Sequence, residues 1–169
     1  MTDKLNPEQR HRCMTAIKST DTKPEMIVRK YLHAAGFRYR LHDKKLPGHP
    51  DLVLLKYHTV IFINGCFWHG HNGCSFFKIP QTNTGFWTDK INRNHNRDLE
   101  VQNKLKHLGW HVIIIWECEL KPKKREKTLL SLVYTLNHIF LMDKTTSNYR
   151  SIVGVIPDDT SIVAEKDPK

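Results

Sequence analysis

The segment NGCFWHGHNGC, residues 64–74, concentrates side chains that can bind a metal ion. Its candidate ligands, joined by a cysteine at the end of a later apolar segment, are Cys66, His69, His71, Cys74 and Cys118. Thiolates and an imidazole from one loop, with a thiolate from another element, predict a closed tetrahedral zinc site that would order the loop. The spacing leaves open which histidine binds. The alternative is that the cysteines are incidental and Cys118 is an ordinary buried thiol.

Two aromatic residues, Phe67 and Trp68, lie between the candidate ligands. A loop that a metal holds rigid can push apolar side chains between base steps, which unstacks DNA at a cost of roughly a few kcal/mol per step. Phe86 and Trp87, at the start of the next predicted helix, offer a second wall for such a wedge. The alternative is that these aromatics cover the core. For Phe86 the two interpretations weigh equally, and for the other pair we favour insertion.

Two carboxylates are candidates for holding a catalytic cation. Asp51 follows a proline at the start of a predicted strand, and Glu25 lies near the start of a predicted helix. This arrangement resembles restriction-type nucleases, in which an aspartate on a strand holds Mg²⁺ beside the scissile phosphate. Those enzymes usually carry Glu-x-Lys on the neighbouring strand, where this chain has Phe62-Ile63-Asn64. Because Pro-Asp is common where a turn ends, Asp51 is a weak indication by itself.

The composition of the 169-residue chain, 39% hydrophobic and 26% charged, is typical of one globular domain. We place this domain at residues 1–142 and a tail without a clear pattern at 143–169. The net charge of +10 favours a nucleic acid partner, although some proteins are simply basic. The longest apolar runs are too short to cross a membrane, and the first residues lack the apolar core of a signal peptide. We therefore expect a cytoplasmic protein, associated with the nucleoid if it is bacterial.

The periodicity of apolar residues predicts the elements that position these side chains. The predicted helices span 7–18, about 22–35, 86–108 and 125–142, and the predicted strands span 37–41, 51–56, 59–64 and 110–116. The second and third strands form an antiparallel hairpin, and helix 86–108 is long enough to cross over between parallel strands. The sum is a mixed α/β sheet with helices on both faces.

Four finer expectations concern burial. The almost continuous apolar run at 110–116 predicts a central buried strand, and the lysine-rich segment 121–127 predicts a basic surface loop. The apolar stripe of the second helix consists of Ile27, Tyr31, Leu32 and Ala35. The inward-facing residues of helix 86–108 are Ile91, Leu99, Leu105 and Leu108.

Six motifs in order resemble the very short patch repair endonucleases, which nick DNA beside T:G mismatches left by deamination of 5-methylcytosine. They are STDTKPE (19–25), LPGHPDLV (46–53), GCFWHGHNGC (65–74), FW (86–87), NRNHNRD (92–98) and LGWHVIIIWEC (108–118). The resemblance covers about residues 7–140. It implies a restriction-endonuclease-like fold and an Mg²⁺-dependent endonuclease acting on double-stranded DNA that contains a T:G mismatch. Since the lesion is asymmetric, we expect a monomer.

The resemblance also implies roles for individual residues. Asp51 ligates Mg²⁺, together with the main-chain carbonyl of Ile63. His69 activates the attacking water, and Glu25 supports the hydrated metal. The structural zinc is held by Cys66, His71, Cys74 and Cys118, which resolves the histidine ambiguity. The residues that match the intercalating wedge are Phe67, Trp68 and Trp87.

The chain departs from the best-known family pattern at Ile63 and Asn64, where that pattern has Thr-His. An amide cannot exchange a proton as imidazole does, so Asn64 predicts reduced or altered activity. Two alternatives follow. One is a zinc-stabilised DNA-binding protein with weakened or lost catalysis, although such a binder has no need for Glu25, Asp51 and His69 together. The other is a restriction-type nuclease without mismatch preference, because a shared fold does not fix function.

Overall fold

A computed structural model describes residues 6, 8, 9, 12, 15, 16 and 20–152, with the backbone alone over 146–152. Within the predicted helix 7–18, residues 8, 9, 12 and 15 are helical. The Asn6 side chain accepts a hydrogen bond from the backbone N–H of Gln9 at 2.8 Å, as a helix cap does. Residue 16 lies in a turn, and the other residues of this predicted helix lie outside the described part of the chain.

Three further helices are α1 (Lys23–Ala34), α2 (Thr84–His107) and α3 (Pro122–Ile152). Helix α1 begins with a capping box, in which Thr22 and Glu25 each satisfy a backbone N–H of the other. The prediction of a basic loop at 121–127 was wrong, because α3 already begins at Pro122. Proline is favoured at the first position of a helix. Because the helix begins there, most lysines of the segment 121–127 lie in its first turns. Helix α3 also continues past the predicted end at residue 142.

Four strands form one sheet in the order β1 (Arg40–Leu41), β2 (Leu52–Leu54), β3 (Thr59–Asn64) and β4 (His111–Trp116). The predicted hairpin is confirmed, because β2 pairs antiparallel with β3. Strands β3 and β4 are parallel over their full length, with α2 as the predicted crossover. The predicted strand 37–41 shortens to its last two residues.

Strand β4 does not lie at the centre of this sheet, as its apolar sequence predicted, but at the edge of the described strands. Only Ile115 among its residues is fully buried. Ile113 packs towards one face of the sheet and Val112 towards the other. The continuous apolar run therefore reflects helices on both faces, and it does not require a strand on each side.

The two faces of the sheet carry separate cores. Helices α1 and α3 cover the larger core, whose buried members are Val28, Leu32, Phe37, Leu52, Leu54, Ile61, Ile115, Leu120, Leu129, Leu132 and Leu136. The smaller core, beneath α2, consists of Val53, Val60 and Leu105. The predicted mixed α/β sheet with helices on both faces is confirmed. None of the described helices combines the length and the apolar character needed to cross a bilayer.

Not every predicted core residue is buried. In α2, Ile91 and Leu105 are buried and Leu99 is 46% exposed, and Leu108, which caps the helix, is 58% exposed. A 24-residue helix meets a four-stranded sheet over only part of its length, so some positions on its stripe do not pack against the sheet in the described part of the chain. Ala35 is the exposed residue that caps the end of α1.

Candidate functional site

The loop between β3 and α2 carries a compact cluster of metal-binding side chains. The ligand atoms of Cys66, His71, Cys74 and Cys118 all lie within 4.8 Å of one another. Nδ1 of His71 lies 3.6 Å from Sγ of Cys66 and 3.5 Å from Sγ of Cys118. A tetrahedral zinc with ordinary Zn–S and Zn–N bonds sets that edge at about 3.6 Å, so this donor set fits the ion.

Neighbouring residues fix the orientation of this cluster. The imidazole of His71 stacks on the indole of Trp116 at 4.0 Å between ring centroids, with the planes 7° apart. Burial raises the pKa of Cys66 to about 12 and also raises the pKa of Cys118. A cation bound there must displace thiol protons, so its affinity should increase with pH.

The cluster loop also packs on helix α2 through a glycine. Gly70 has φ +62°, and a Cβ at this position would lie 2.9 Å from Cγ2 of Ile91. Any larger residue would therefore push the loop away from the helix. The side chain of Asn94, in the same helix, donates a hydrogen bond to the carbonyl of Trp68 at 2.9 Å. These contacts hold the segment between the ligands against α2.

The three predicted wedge residues lie together. The ring centroid of Phe67 is 5.1 Å from that of Trp68 and 5.2 Å from that of Trp87. Lys90 places its ammonium 5.3 Å from the centroid of Trp68 and 5.6 Å from that of Trp87. Phe86 joins the edge of this group and is 55% exposed, so it does not cap the core. The result is an aromatic cluster with a cation beside it.

A cleft of about 580 Å³ lies next to this loop, at the end of the hairpin. Three residues singled out in the sequence line it, namely Asp51, Ile63 and His69, together with Asn64. Oδ2 of Asp51 accepts the backbone N–H of Ile63 at 2.7 Å, which fixes the carboxylate against β3. Gly48 lets the preceding turn approach α2, because a Cβ there would lie 2.3 Å from Val101.

The electrostatics of Asp51 suit a cation. Burial raises the pKa of its carboxyl group above the ordinary value, and the charge of Glu25 raises it further. The hydrogen bond from Ile63 and the charges of His42 and Arg29 act in the opposite direction. A carboxylate that burial destabilises gains most from a bound positive charge.

Glu25 lies behind the cleft and does not line it. Its side chain is 1% exposed and forms an ion pair with Arg29 one helical turn later. Nε2 of His42 lies 3.1 Å from Oε1 of Glu25, and Nδ1 of the same ring lies 4.0 Å from Oδ1 of Asp51. Thus Glu25 and Asp51 belong to one network, and a histidine stands between them.

His69 has an acidic partner that the sequence analysis did not assign. Nδ1 of His69 lies 2.5 Å from Oδ2 of Asp98 in helix α2. Since Asp98 occupies Nδ1, the Nε2 atom is left for the cleft. A usable signal did exist: Asp98 stands seven residues after Ile91 and seven before Leu105, so it is an acid on the core-facing stripe of α2. The sequence analysis also missed His42, which follows a short strand and carries no periodic signal.

With the site described, the chain can be compared with known proteins. Residues 2–75 match the model of the family described as DNA mismatch endonuclease Vsr. The type II nicking enzyme V.NmeAIP of Neisseria meningitidis is 50% identical over 123 residues, which cover 73% of this chain and 87% of that protein. The type II nicking enzyme V.XorIIP of Xanthomonas oryzae is 45% identical over 120 residues, or 71% and 88% of the two chains. The DNA mismatch endonuclease Vsr of Escherichia coli is 42% identical over 125 residues, or 74% and 80%.

Proposed function

Because this chain belongs to the Vsr family of DNA endonucleases, we propose that it nicks one strand of double-stranded DNA beside T:G mismatches. Such mismatches arise when 5-methylcytosine is deaminated. A relative named a DNA mismatch endonuclease and relatives named nicking enzymes support this reading. The observation that carries the proposal is that one loop holds Phe67 and Trp68 of the aromatic cluster and also His69, whose side chain lines the cleft of Asp51.

Zinc is the structural ion in this proposal, held by Cys66, His71, Cys74 and Cys118. The support is the donor set itself, three thiols and one imidazole at the spacing of a tetrahedral site. With the cation bound, the short segment from Cys66 to His71 is fixed at both ends. Phe67 and Trp68 then emerge from a rigid support, which a wedge needs if it is to unstack base pairs.

Magnesium is the proposed catalytic ion, held by Asp51 and the main-chain carbonyl of Ile63. The buried carboxylate beside a second acid is the feature of this chain that supports a divalent cation there. When bound, Mg²⁺ neutralises charge that develops on the scissile phosphate and orients a water. The backbone N–H of Ile63 keeps one carboxylate oxygen in place, and the other oxygen faces His42.

His69 is the proposed general base. Its Nδ1 atom is held by Asp98, so Nε2 takes a proton from the attacking water, and the carboxylate stabilises the imidazolium that forms. Asn64, on the floor of the cleft, positions a water or a phosphate oxygen by hydrogen bonding, since an amide cannot carry a proton across.

Mismatch preference in this proposal comes from the wedge formed by Phe67, Trp68 and Trp87. Insertion of the wedge requires the free energy that unstacks the opened base step. This free energy is lowest at a poorly stacked mismatch. The asymmetry of the lesion makes one copy of the chain sufficient. We also propose that the sheet belongs to the restriction-endonuclease-like architecture, that residues 1–142 form its domain, and that the protein works in the cytoplasm, where the DNA is.

A second candidate function is DNA binding with weakened catalysis, and Asn64 is the observation that favours it. One assay separates the two functions. Zinc-loaded protein and Mg²⁺ are incubated with T:G-mismatched and matched duplexes in which each strand is labelled in turn. A nick confined to the T strand of the mismatched duplex supports the first function. Binding of both duplexes without any nick supports the second, and equal cleavage of both duplexes indicates a nuclease without mismatch preference.

A further inference from the structure

Both carboxylate oxygens of Glu25 are already engaged inside the protein. Oε1 accepts from Nη2 of Arg29 and faces His42, and Oε2 accepts the backbone N–H of Thr22 at 3.3 Å. The residue is buried at the first turn of α1. The residue is 1% exposed, and its contact with His42 leads towards the cleft. Glu25 therefore also acts on the cleft through its neighbours.

One ring nitrogen of His42 faces the Glu25–Arg29 pair and the other faces Asp51. Nε2 lies 2.8 Å from Nη2 of Arg29 and 3.1 Å from Oε1 of Glu25. Nδ1 lies 4.0 Å from Oδ1 of Asp51, a separation that a small approach of the ring closes. The order of the contacts is Glu25, Arg29, His42, Asp51.

The backbone at His42 is unusual in a way that favours this role. Its φ of +45° places a non-glycine residue in the strained left-handed region. The turn after β1 keeps this conformation, and it leads the imidazole into the wall of the cleft beside Asp51. Strain of this kind persists where the surrounding contacts determine the position of a side chain.

We infer that His42 is a positioning residue, through which Glu25 and Arg29 hold the Asp51 carboxylate in the orientation that binds the divalent cation. The inference rests on the proposed function in one respect, the assignment of Asp51 as the cation ligand. It adds an indirect role for Glu25, since removing its charge breaks the ion pair with Arg29 and weakens the contact with His42. The Asp51 carboxylate then keeps the N–H of Ile63 on one oxygen and loses the orienting contact on the other. His42 itself touches neither the reacting phosphate nor the attacking water.

The test measures Mn²⁺ affinity by electron paramagnetic resonance on the zinc-loaded full chain without DNA. The variants are His42→Phe, Glu25→Gln and the double substitution, with His33→Phe as the control because His33 is exposed at the other end of α1. Loss of a residue that orients a metal ligand weakens binding by about 10- to 100-fold, and we expect this for each single variant. In the double variant, Glu25→Gln should add less than about twofold to the effect of His42→Phe, because both act on one contact.

A second comparison leaves the Glu25–Arg29 ion pair intact, in case Glu25→Gln prevents folding. His42→Asn places an amide N–H near the position of Nδ1, and His42→Gln places its amide near the position of Nε2. We expect His42→Asn to keep most of the Mn²⁺ affinity and His42→Gln to lose it, while thermal unfolding shows both variants folded. Equal affinities for the two variants would overturn the inference, and so would effects of Glu25→Gln and His42→Phe that multiply.

The readout separates this inference from the proposed function. The Mn²⁺ pattern requires neither cleavage nor a mismatch. If the variants follow the expected pattern while the wild-type protein fails to nick a T:G duplex, the proposed function is refuted and the role of His42 is supported. If the wild-type protein nicks and His42→Phe binds Mn²⁺ as tightly as the control does, only the role of His42 is refuted.

Discussion

Replacing Asp98 by asparagine removes the charge that faces His69 and leaves the shape of the side chain almost unchanged. The two side chains are 24% and 19% exposed, so water screens their contact only in part. Hydrogen bonds to charged groups contribute about 1.5–3 kcal/mol. If that contribution stabilises the imidazolium as the proton is taken, its loss slows nicking about 10- to 150-fold, since about 1.36 kcal/mol corresponds to a factor of ten.

The assay is single-turnover nicking of a T:G duplex with protein in excess, together with the dissociation constant for the same DNA in Ca²⁺. We expect the rate constant to fall and the DNA affinity to change little, because Asp98 acts on the base and not on the phosphate backbone. Asp89→Asn is the matched control, since Asp89 is an exposed acid in the same helix. The reasoning is refuted if Asp98→Asn and Asp89→Asn behave alike, or if Asp98→Asn still slows a His69→Ala protein.

Three more predictions test other parts of the site. Phe67→Ala should lower the nicking rate on T:G duplexes by about tenfold or more. One lost aromatic contact is worth about 0.5–1.5 kcal/mol, and the loss of insertion between base pairs adds to this. The control is Phe76→Ala, which alters an exposed ring outside the cluster. Asp51→Asn should stabilise the metal-free protein at neutral pH, because the folded pKa of Asp51 lies above its usual 3.8 and its charged form therefore disfavours folding. The stability of the wild-type protein relative to the variant should fall as pH rises from 3.8 through the folded value. Thermal unfolding of both proteins across this range checks it, and a variant that is less stable at neutral pH contradicts it. Asn64→His should raise the nicking rate, because imidazole can pass a proton where the amide cannot, and an unchanged rate would show that the position is not critical.

The periodicity of apolar residues predicted the helices and strands of this protein well. It predicted less well which elements pack beside one another. The hairpin and the parallel crossover follow from local patterns, since turn residues and apolar spacing act within a few positions of the chain. The position of β4 at the sheet edge does not follow, because an apolar run is the same whether helices or strands cover it. Leu99 shows the same limit: its spacing is correct for a core residue, but 46% of it is exposed among the described residues.

The sequence likewise predicted some parts of the candidate site and not others. The zinc ligands lie close enough in sequence for spacing to indicate most of them, although the choice of His71 over His69 came from the family resemblance. The contacts of Glu25 with Arg29 and His42 depend on how α1 meets the turn after β1. No spacing in the sequence encodes that packing, so these contacts could not be predicted from the sequence, and the supporting role of Glu25 came from the family resemblance.

The most direct test of the proposed mismatch nuclease is the ratio of two single-turnover rates, measured with zinc-loaded protein and Mg²⁺. One duplex carries a T:G pair and the other a C:G pair at the same position. Unstacking differences of a few kcal/mol correspond to a ratio of about 100 or more in favour of T:G, with cleavage of the T strand only. A ratio near one, or cleavage of both strands, would contradict the account.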